Sequence, residues 1–443
     1  MTQNGALSSH YEQLLGTVTR DTESEPPESQ AMRHLSSSKG EQLTDAVVRA
    51  VLASDKGPTV KLSSWGSESM ASLADGATSD IQRLQVTYLD ADGHEHGVSY
   101  AAKLLRSREG FYNIIHAKEC SFYSDVVPAV NAVLRDVGYD ELSVPRCLFQ
   151  STERGREVVV LENLRDLGYE MRDKAEGIDA AHTVLVLKEL AKLHAASVLL
   201  QEKSPQEDLV DRFACLQKEW TKEFNVGCNF EQFIGSYLER SVAMFEKIGG
   251  CSTVVEWIKR IKPKAMQMYN EQIKQTPPFT AICHADPYIN NFFFKYDEAR
   301  NPIDVKLFDF QGCRKSSVAN DLQHLFNMNL TGPVRRPNLD YFLRTYYASF
   351  AGILEAGGSR APFTLDELAK EYQDKGFYGL LYCLLWIPNM VRRPEDTVDI
   401  IERSEEAVDV ETRNVLRMVD ANPLLKPRIL SIVEEWTEGG VIA

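Results

Sequence analysis

The sequence predicts an α+β protein in two lobes, a small one built on an antiparallel sheet and a larger, mostly helical one. Three observations predict it. Residues 59–161 read as strands joined by turns: Ile81 to Leu89 and Val98 to Leu105 flank Asp90-Ala91-Asp92-Gly93, and Arg146 to Gln150 and Glu157 to Leu161 flank Glu153-Arg154-Gly155. From Asp179 onward apolar residues such as Leu185, Leu187, Leu190 and Leu193 gather on one side of a helix. The helical half is interrupted by residues 279–321, which read as strand, polar loop, hairpin and helix. At 443 residues the chain is long enough for two cores.

Composition narrows the function. Apolar content is 43% and charged content 26%, as in ordinary globular proteins. The net charge of −15 argues against nucleic acid and anionic membrane as partners, because both need clustered positive charge. A nucleotide phosphate would have to be held by a metal and a few local cations. The eight cysteines are scattered with no C-x-x-C pair, which points to reduced thiols in the cytoplasm and away from structural zinc or disulfides. No apolar leader is visible at the N-terminus. The longest apolar run, Gly376 to Val391, is shorter than a membrane span and contains Pro388 and Asn389, so a buried helix is expected and no membrane insertion.

Residues 1–40 are rich in Ser, Thr, Glu, Gln and Pro and read as a disordered tail. The small lobe is expected over 41–162 and the large one over 163–435. Leu43, Val47, Val48, Val51 and Leu52 recur at helical spacing and open the fold. Thr59 to Asp75 alternates in part and contains Ser64, Gly66, Ser67, Ser69 and Ser72. It reads either as a plain hairpin turn or as a loop whose N–H groups and hydroxyls cover a phosphate. His94 and His96 lie beside a turn without a third ligand and read as solvated. Lys103 sits among apolar residues on a strand, and burying its charge is costly unless it is paired. Glu119, in the following helical segment, offers a partner; the alternative is a lysine that snorkels to water. Helical patterns cover about 205–248, 252–275, 338–357, 365–387 and 397–418. His194 reads as a core histidine bonded to backbone, and Asp321 as a residue that opens a helix and can cap it.

The interrupting segment carries the chemistry. His284, Asp286 and Asn291 lie in its loop. Phe292 to Tyr296 and Val305 to Phe308 form a hairpin around Asp297, Asn301 and Pro302, and Asp309 ends its second arm. Two carboxylates and a carboxamide thus gather on one hairpin, as a Mg²⁺-nucleotide site requires: hard oxygen ligands, and one carboxylate for the attacking hydroxyl. His-x-Asp-x-x-x-x-Asn alone arises in roughly one chain in twenty by composition. The hairpin ending in Asp-Phe makes it more specific than that. The plain alternative is a hairpin whose loop polars bond to local backbone.

The segment HADPYINNFFFKYD…DVKLFDFQ resembles the catalytic segment of the ecdysteroid kinase-like family, part of the choline kinase and aminoglycoside phosphotransferase group. The resemblance runs over about residues 40–430. It includes Glu119-x-x-Phe122-Tyr123 and Leu161-Glu162-Asn163-Leu164 with Gly168-Tyr169, where Asn163 replaces the usual Asp. It implies a two-lobed protein-kinase-like fold. It also implies an ATP- and Mg²⁺-dependent kinase acting on a small apolar alcohol, possible acceptors being an ecdysteroid or a related steroid or xenobiotic. A choline-type kinase and a catalytically silent nucleotide-binding protein are the alternatives. By position, Gly66, Ser67 and Ser69 would cover the phosphates, and Lys103, paired with Glu119, would hold them. Glu162, Asn163 and Leu164 would form the hinge that meets adenine through main-chain groups. Asp286 would be the base, His284 the residue that orients the loop, Asn291 and Asp309 the Mg²⁺ ligands, and Asp321 a brace for the catalytic loop. Two departures stand out. Ala285 replaces the usual glycine, so no positive φ is expected there, and Pro287 fixes φ directly after Asp286. The aromatic segment Phe377 to Trp386 reads as core and is also a candidate wall for the alcohol.

Overall fold

The protein is described by a computed structural model over residues 42–70, 79–105, 107, 110–225, 228–396 and 405–443. The expected tail and Ser72 lie outside the described residues.

The first lobe is a five-stranded antiparallel sheet with one helix on its outer face. Helix α1 (Asp45–Lys56) is capped by Thr44, whose hydroxyl accepts from the Val47 N–H. Strands β1 (Lys61–Ser69), β2 (Ser79–Leu89), β3 (Glu95–Leu105), β4 (Cys147–Ser151) and β5 (Val158–Glu162) run in the order β1-β2-β3-β5-β4. Strand alternation divides their side chains between two faces. Leu84, Val86, Tyr100, Ala102, Leu104, Val158 and Val160 pack under Val47, Val48, Val51 and Leu52 of α1. The register pairs Arg83 with Ala101, and Lys103 with both Ile81 and Val159, so these residues share the opposite face, toward the cleft. That parity places Lys103. Helix α2 (Gly110–Ser121) then widens into a π-turn over Phe122–Val126 before α3 (Val127–Asp136).

The second lobe begins with β6 (Tyr169–Glu170) and the long α4 (Ala180–Lys203), capped by Asp179. Three one-turn helices follow, then α5 (Phe230–Ile248) with an Asn229/Gln232 capping box, α6 (Ser252–Ile261) and α7 (Ala265–Gln272). The continuous pattern expected over 205–248 breaks because the chain is extended at Phe213, Lys218 and Phe224. Strands β7 (Thr280–Cys283), β8 (Phe292–Tyr296), β9 (Pro302–Leu307) and β10 (Arg314–Ser317) form two small sheets, β10-β7 and β6-β8-β9. Strand β10 is polar in sequence and exists through its long-range pairing with β7.

Six helices complete the lobe: α8 (Val318–Asn329), α9 (Gly332–Ala356), α10 (Leu365–Asp374), α11 (Gly376–Met390), α12 (Glu405–Ala421) and α13 (Leu425–Glu438). Helix α13 goes beyond the expected elements, although Leu425, Ile429, Ile432, Val433 and Trp436 bury one helical face. No disulfide links any of the eight cysteines. Among the described residues no helix is long and apolar enough to cross a membrane.

Helix α8 is the centre of this lobe: all twelve of its residues are buried. Helix α11 crosses it at Gly379. A Cβ there would collide with Gln323 Oε1 and lie 2.8 Å from Asn327 Nδ2. Those two side chains are bonded to each other, and Asn327 also accepts from Trp436. Room at residue 379 is therefore set by a satisfied polar network. Gly379→Ala is expected to destabilise the protein by about 1–3 kcal/mol, the usual cost of overpacking a core, read as a lower midpoint in thermal unfolding.

Candidate active site

The cleft is organised by Lys103. Its ammonium lies 2.7 Å from Glu119 Oε2 on α2 and 2.7 Å from Asp309 Oδ1 at the end of the β8–β9 hairpin. Burial works against its charge, but Asp309 and then Glu119 outweigh that, and its pKa is raised. Burial in turn raises that of Glu119, although Lys103 opposes the shift. The position of α2 is held by the residue after Asp309. Phe310 stacks on Phe122, with ring centroids 4.0 Å apart, and meets the edge of Tyr123. The Asp-Phe pair thus fixes both ends of the ion pair, Asp309 by charge and Phe310 by packing.

The loop from His284 to Asn291 is moulded on α8. Asp321 accepts the N–H groups of His284 and Ala285, both at 2.8 Å. Burial opposes its charge, but donation from His194 and the Ala285 N–H prevails, and its pKa is lowered. Asn329 accepts from Ile289 N at 2.7 Å and donates to Pro287 O at 2.8 Å. Ser317, not Asp321, caps the helix. Taking both N–H groups to one carboxylate requires a sharp turn, and Ala285 adopts φ 66°. The expectation that residue 285 needs no positive φ is therefore corrected. Burial keeps His284 neutral by lowering its pKa, and its Nε2 lies 3.1 Å from Phe308 O, so Nε2 carries the proton.

Within that loop Asn291 Nδ2 donates to the backbone oxygen of Asp286 at 3.0 Å and to its Oδ2 at 3.1 Å. This engages the amide nitrogen and leaves Oδ1 of Asn291 as the donor atom for a cation. The Phe308 N–H donates to Asn291 O, which places residue 291 beside the turn into Asp309. Asp309 adopts φ 65°. An amide oxygen and a carboxylate are hard donors that suit Mg²⁺. Asp286 keeps 35% of its side chain open to the cleft. Burial, then the charge of Asp309, pushes its pKa up to about 7, against donation from Asn291.

Lys103, Glu119, His284, Asp286, Asn291 and Asp309 therefore meet in one cleft. Gly66, Ser67 and Ser69 do not form a turn. They lie on β1, paired with Gln85, Leu84 and Gln82, and a Cβ on Gly66 would meet nothing within 4 Å. The backbone freedom expected of Gly66 is thus not used, because the residue lies inside a paired strand. Glu162 ends β5 and accepts from Arg146 through N and Nε, at 3.1 and 3.0 Å. Asn163 donates to Ser99 Oγ at 2.7 Å, and the Asn163 and Leu164 carbonyls close the following turn. A cavity of about 300 Å³ opens here, with Glu68, Arg83, Asn163 and Asp166 in its lining. Arg83 and Asp166 pair across it at 3.3 Å. His194 is a core residue, as expected, but its partners are side chains: Tyr346 at 2.8 Å and Asp321 at 3.1 Å. His96 bonds Asp90 at 2.8 Å on the exposed turn.

Sequence reasoning missed Arg83, Asp166, His324 and Asn329. For the last two a signal exists: Asn320, Asp321, Gln323, His324, Asn327 and Asn329 put six polar residues into one short helix of an apolar lobe.

The model of the ecdysteroid kinase-like family matches residues 74–358, well over half of the chain. The chain belongs to that family. Its architecture, a small antiparallel-sheet lobe followed by a large helical one, is the two-lobed protein-kinase-like fold. Among solved structures, a Plasmodium vivax ethanolamine kinase is similar at 13% identity, covering 92% of this chain and 98% of its own, with a TM-score of 0.41. A microcompartment-associated aminopropanol kinase is similar at 14% identity, covering 87% and 100%, with a TM-score of 0.40. No curated protein matches the chain.

The family's usual glycine at position 285 now has a physical reason. A left-handed residue with a Cβ costs roughly 1–2 kcal/mol, which glycine avoids. Ala285→Gly is expected to stabilise the protein by up to about 1 kcal/mol after the entropy of glycine is subtracted, measured by chemical denaturation.

Proposed function

We propose that the protein is an ATP-dependent kinase that transfers the γ-phosphoryl group of Mg-ATP to a hydroxyl of a small, apolar alcohol. Family membership favours an ecdysteroid or a related steroid or xenobiotic as that alcohol. One observation carries the reading: Lys103 joins Glu119 and Asp309 in the same cleft where Asn291 orients Asp286.

Phosphoryl transfer is mostly positioning and charge stabilisation, and the residues divide accordingly. Lys103, held upright by Glu119, is the cation for the nucleotide phosphates. Asn291 Oδ1 and the Asp309 carboxylate would hold Mg²⁺, which when bound neutralises charge on the transferring phosphoryl group. Asp286 faces the cleft with a carboxylate raised toward neutrality, the condition for a base that takes a hydroxyl proton near neutral pH. The aromatic segment is core, and it backs the base from that side: Tyr382 and Tyr378, both buried, lie beside His324, which lies beside Asp286. The cavity lined by Arg83 and Asp166 adjoins residues 162–164 and suits the sugar end of the nucleotide.

The test is ATP turnover by the full chain against a panel of steroid, choline-type and sugar alcohols. Phosphorylation of the steroid alcohols supports the reading. Mg-ATP binding without transfer to any of them points to a silent nucleotide-binding protein. Asp286→Asn is expected to lower kcat by about 10²–10⁴-fold with ATP affinity nearly intact; wild-type turnover would remove Asp286 as the base. Asp309→Ala is expected to weaken Mg-ATP binding, measured by titration calorimetry, and unchanged affinity would count against it as a metal ligand.

A further inference from the structure

His324 is a buried group beside the chemistry that the scheme above leaves without a task. It sits on α8, one turn beyond Asp321, and is 1% exposed. Its Nε2 lies 3.4 Å from Oδ1 of Asp286, while Asn291 takes Oδ2. The ring packs on Tyr382, with centroids 4.5 Å apart, and its Nδ1 has no hydrogen-bond partner among the described residues. Burial lowers its pKa to about 3, so it is neutral under working conditions and carries one N–H and one lone pair. When Asp286 is ionised, the form that takes the hydroxyl proton, the tautomer with the proton on Nε2 suits this position, because the other sets a lone pair against a carboxylate. The contact is both long and poorly aligned for a hydrogen bond as it stands, as catalytic contacts often are before substrate binds and tightens them.

We infer that His324 is a positioning residue for Asp286: its Nε2–H steadies Oδ1 while Asn291 steadies Oδ2, so that the carboxylate presents one orientation to the hydroxyl of the bound alcohol. Each carboxylate oxygen has a second lone pair, so both can be held and one still accepts the proton. The same helix thus shapes the loop backbone through Asp321 and Asn329 and aims the loop's working side chain through His324. The inference rests on the phosphotransfer reading. A histidine that merely filled the core would affect stability and leave the chemical step alone.

The test compares His324→Leu, which removes the N–H, with His324→Gln, whose amide can donate from a similar place. Both are measured in the full chain for kcat, for KM of ATP and for thermal midpoint. His324→Leu should lower kcat by about 10–100-fold, the scale of a small misplacement of a catalytic group, with KM for ATP unchanged. His324→Gln should recover most of the loss. In an Asp286→Asn background, His324→Leu should cost nothing further. If the leucine variant does not fold, His324→Phe, which suits the aromatic cluster, takes its place. An active wild type whose leucine or phenylalanine variant keeps full kcat overturns the inference alone. So does a loss that glutamine fails to recover or that persists in the Asp286→Asn background. A wild type that phosphorylates none of the alcohols overturns the phosphotransfer reading, and this inference with it.

Discussion

One buried ammonium ties the two lobes together. Lys103 comes from the sheet, Glu119 from the helix behind it and Asp309 from the helical lobe, and both carboxylates lie 2.7 Å from the same nitrogen. The Glu119 side chain is 2% exposed and that of Lys103 12%. A buried ion pair adds little net stability, since desolvation consumes most of the attraction, yet losing one partner costs about 3–5 kcal/mol. The triad is thus better understood as a geometric constraint than as a source of stability. It sets the distance between the lobes at the place proposed above for a nucleotide's phosphates.

A second constraint shapes the other wall. Helix α8 is buried along its whole length and still carries Asp321, His324 and Asn329 toward the loop from His284 to Asn291. Asp321 takes two N–H groups, and Asn329 takes one N–H and one carbonyl. Buried backbone groups must find partners, and here the helix supplies them in place of strand or water. Four direct bonds hold a tight loop that includes a left-handed alanine. That strain persists because the surrounding bonds over-determine the backbone. Asp286 itself keeps an opening to the cleft, and burial with the nearby charge of Asp309 lifts its affinity for a proton.

Much of this was legible beforehand, for identifiable reasons. Lys103 stood out because a charge in an apolar strand demands a partner, and Glu119 was within reach on the next element. Asp286, Asn291 and Asp309 could be grouped beforehand because one hairpin carries all three, so short-range spacing was enough to bring them together. Gly66 misled because glycine is read as a sign of turns, whereas here it lies in a paired strand and its freedom goes unused. Ala285 misled for the opposite reason: alanine rarely signals φ > 0, and only the pull of Asp321 on two successive N–H groups requires it. Strand β10 and helix α13 went unseen, the first because four polar residues become a strand only when β7 is beside them.

The sequence by itself determined the local facts: which strand faces carry apolar residues, where the hairpin turns, and which side chains have oxygen or nitrogen to offer. These follow from period-two and period-3.6 patterning and from the chemistry of each residue. The tertiary structure alone decided which groups meet. That Arg83 pairs with Asp166 beside the residues after β5, that Phe310 locks the helix bearing Glu119, and that His324 lies 3.4 Å from Asp286 all depend on contacts between residues far apart in the chain. Packing, not pattern, sets such distances, because a side chain's neighbours across a core are fixed only when every element around it has found its place.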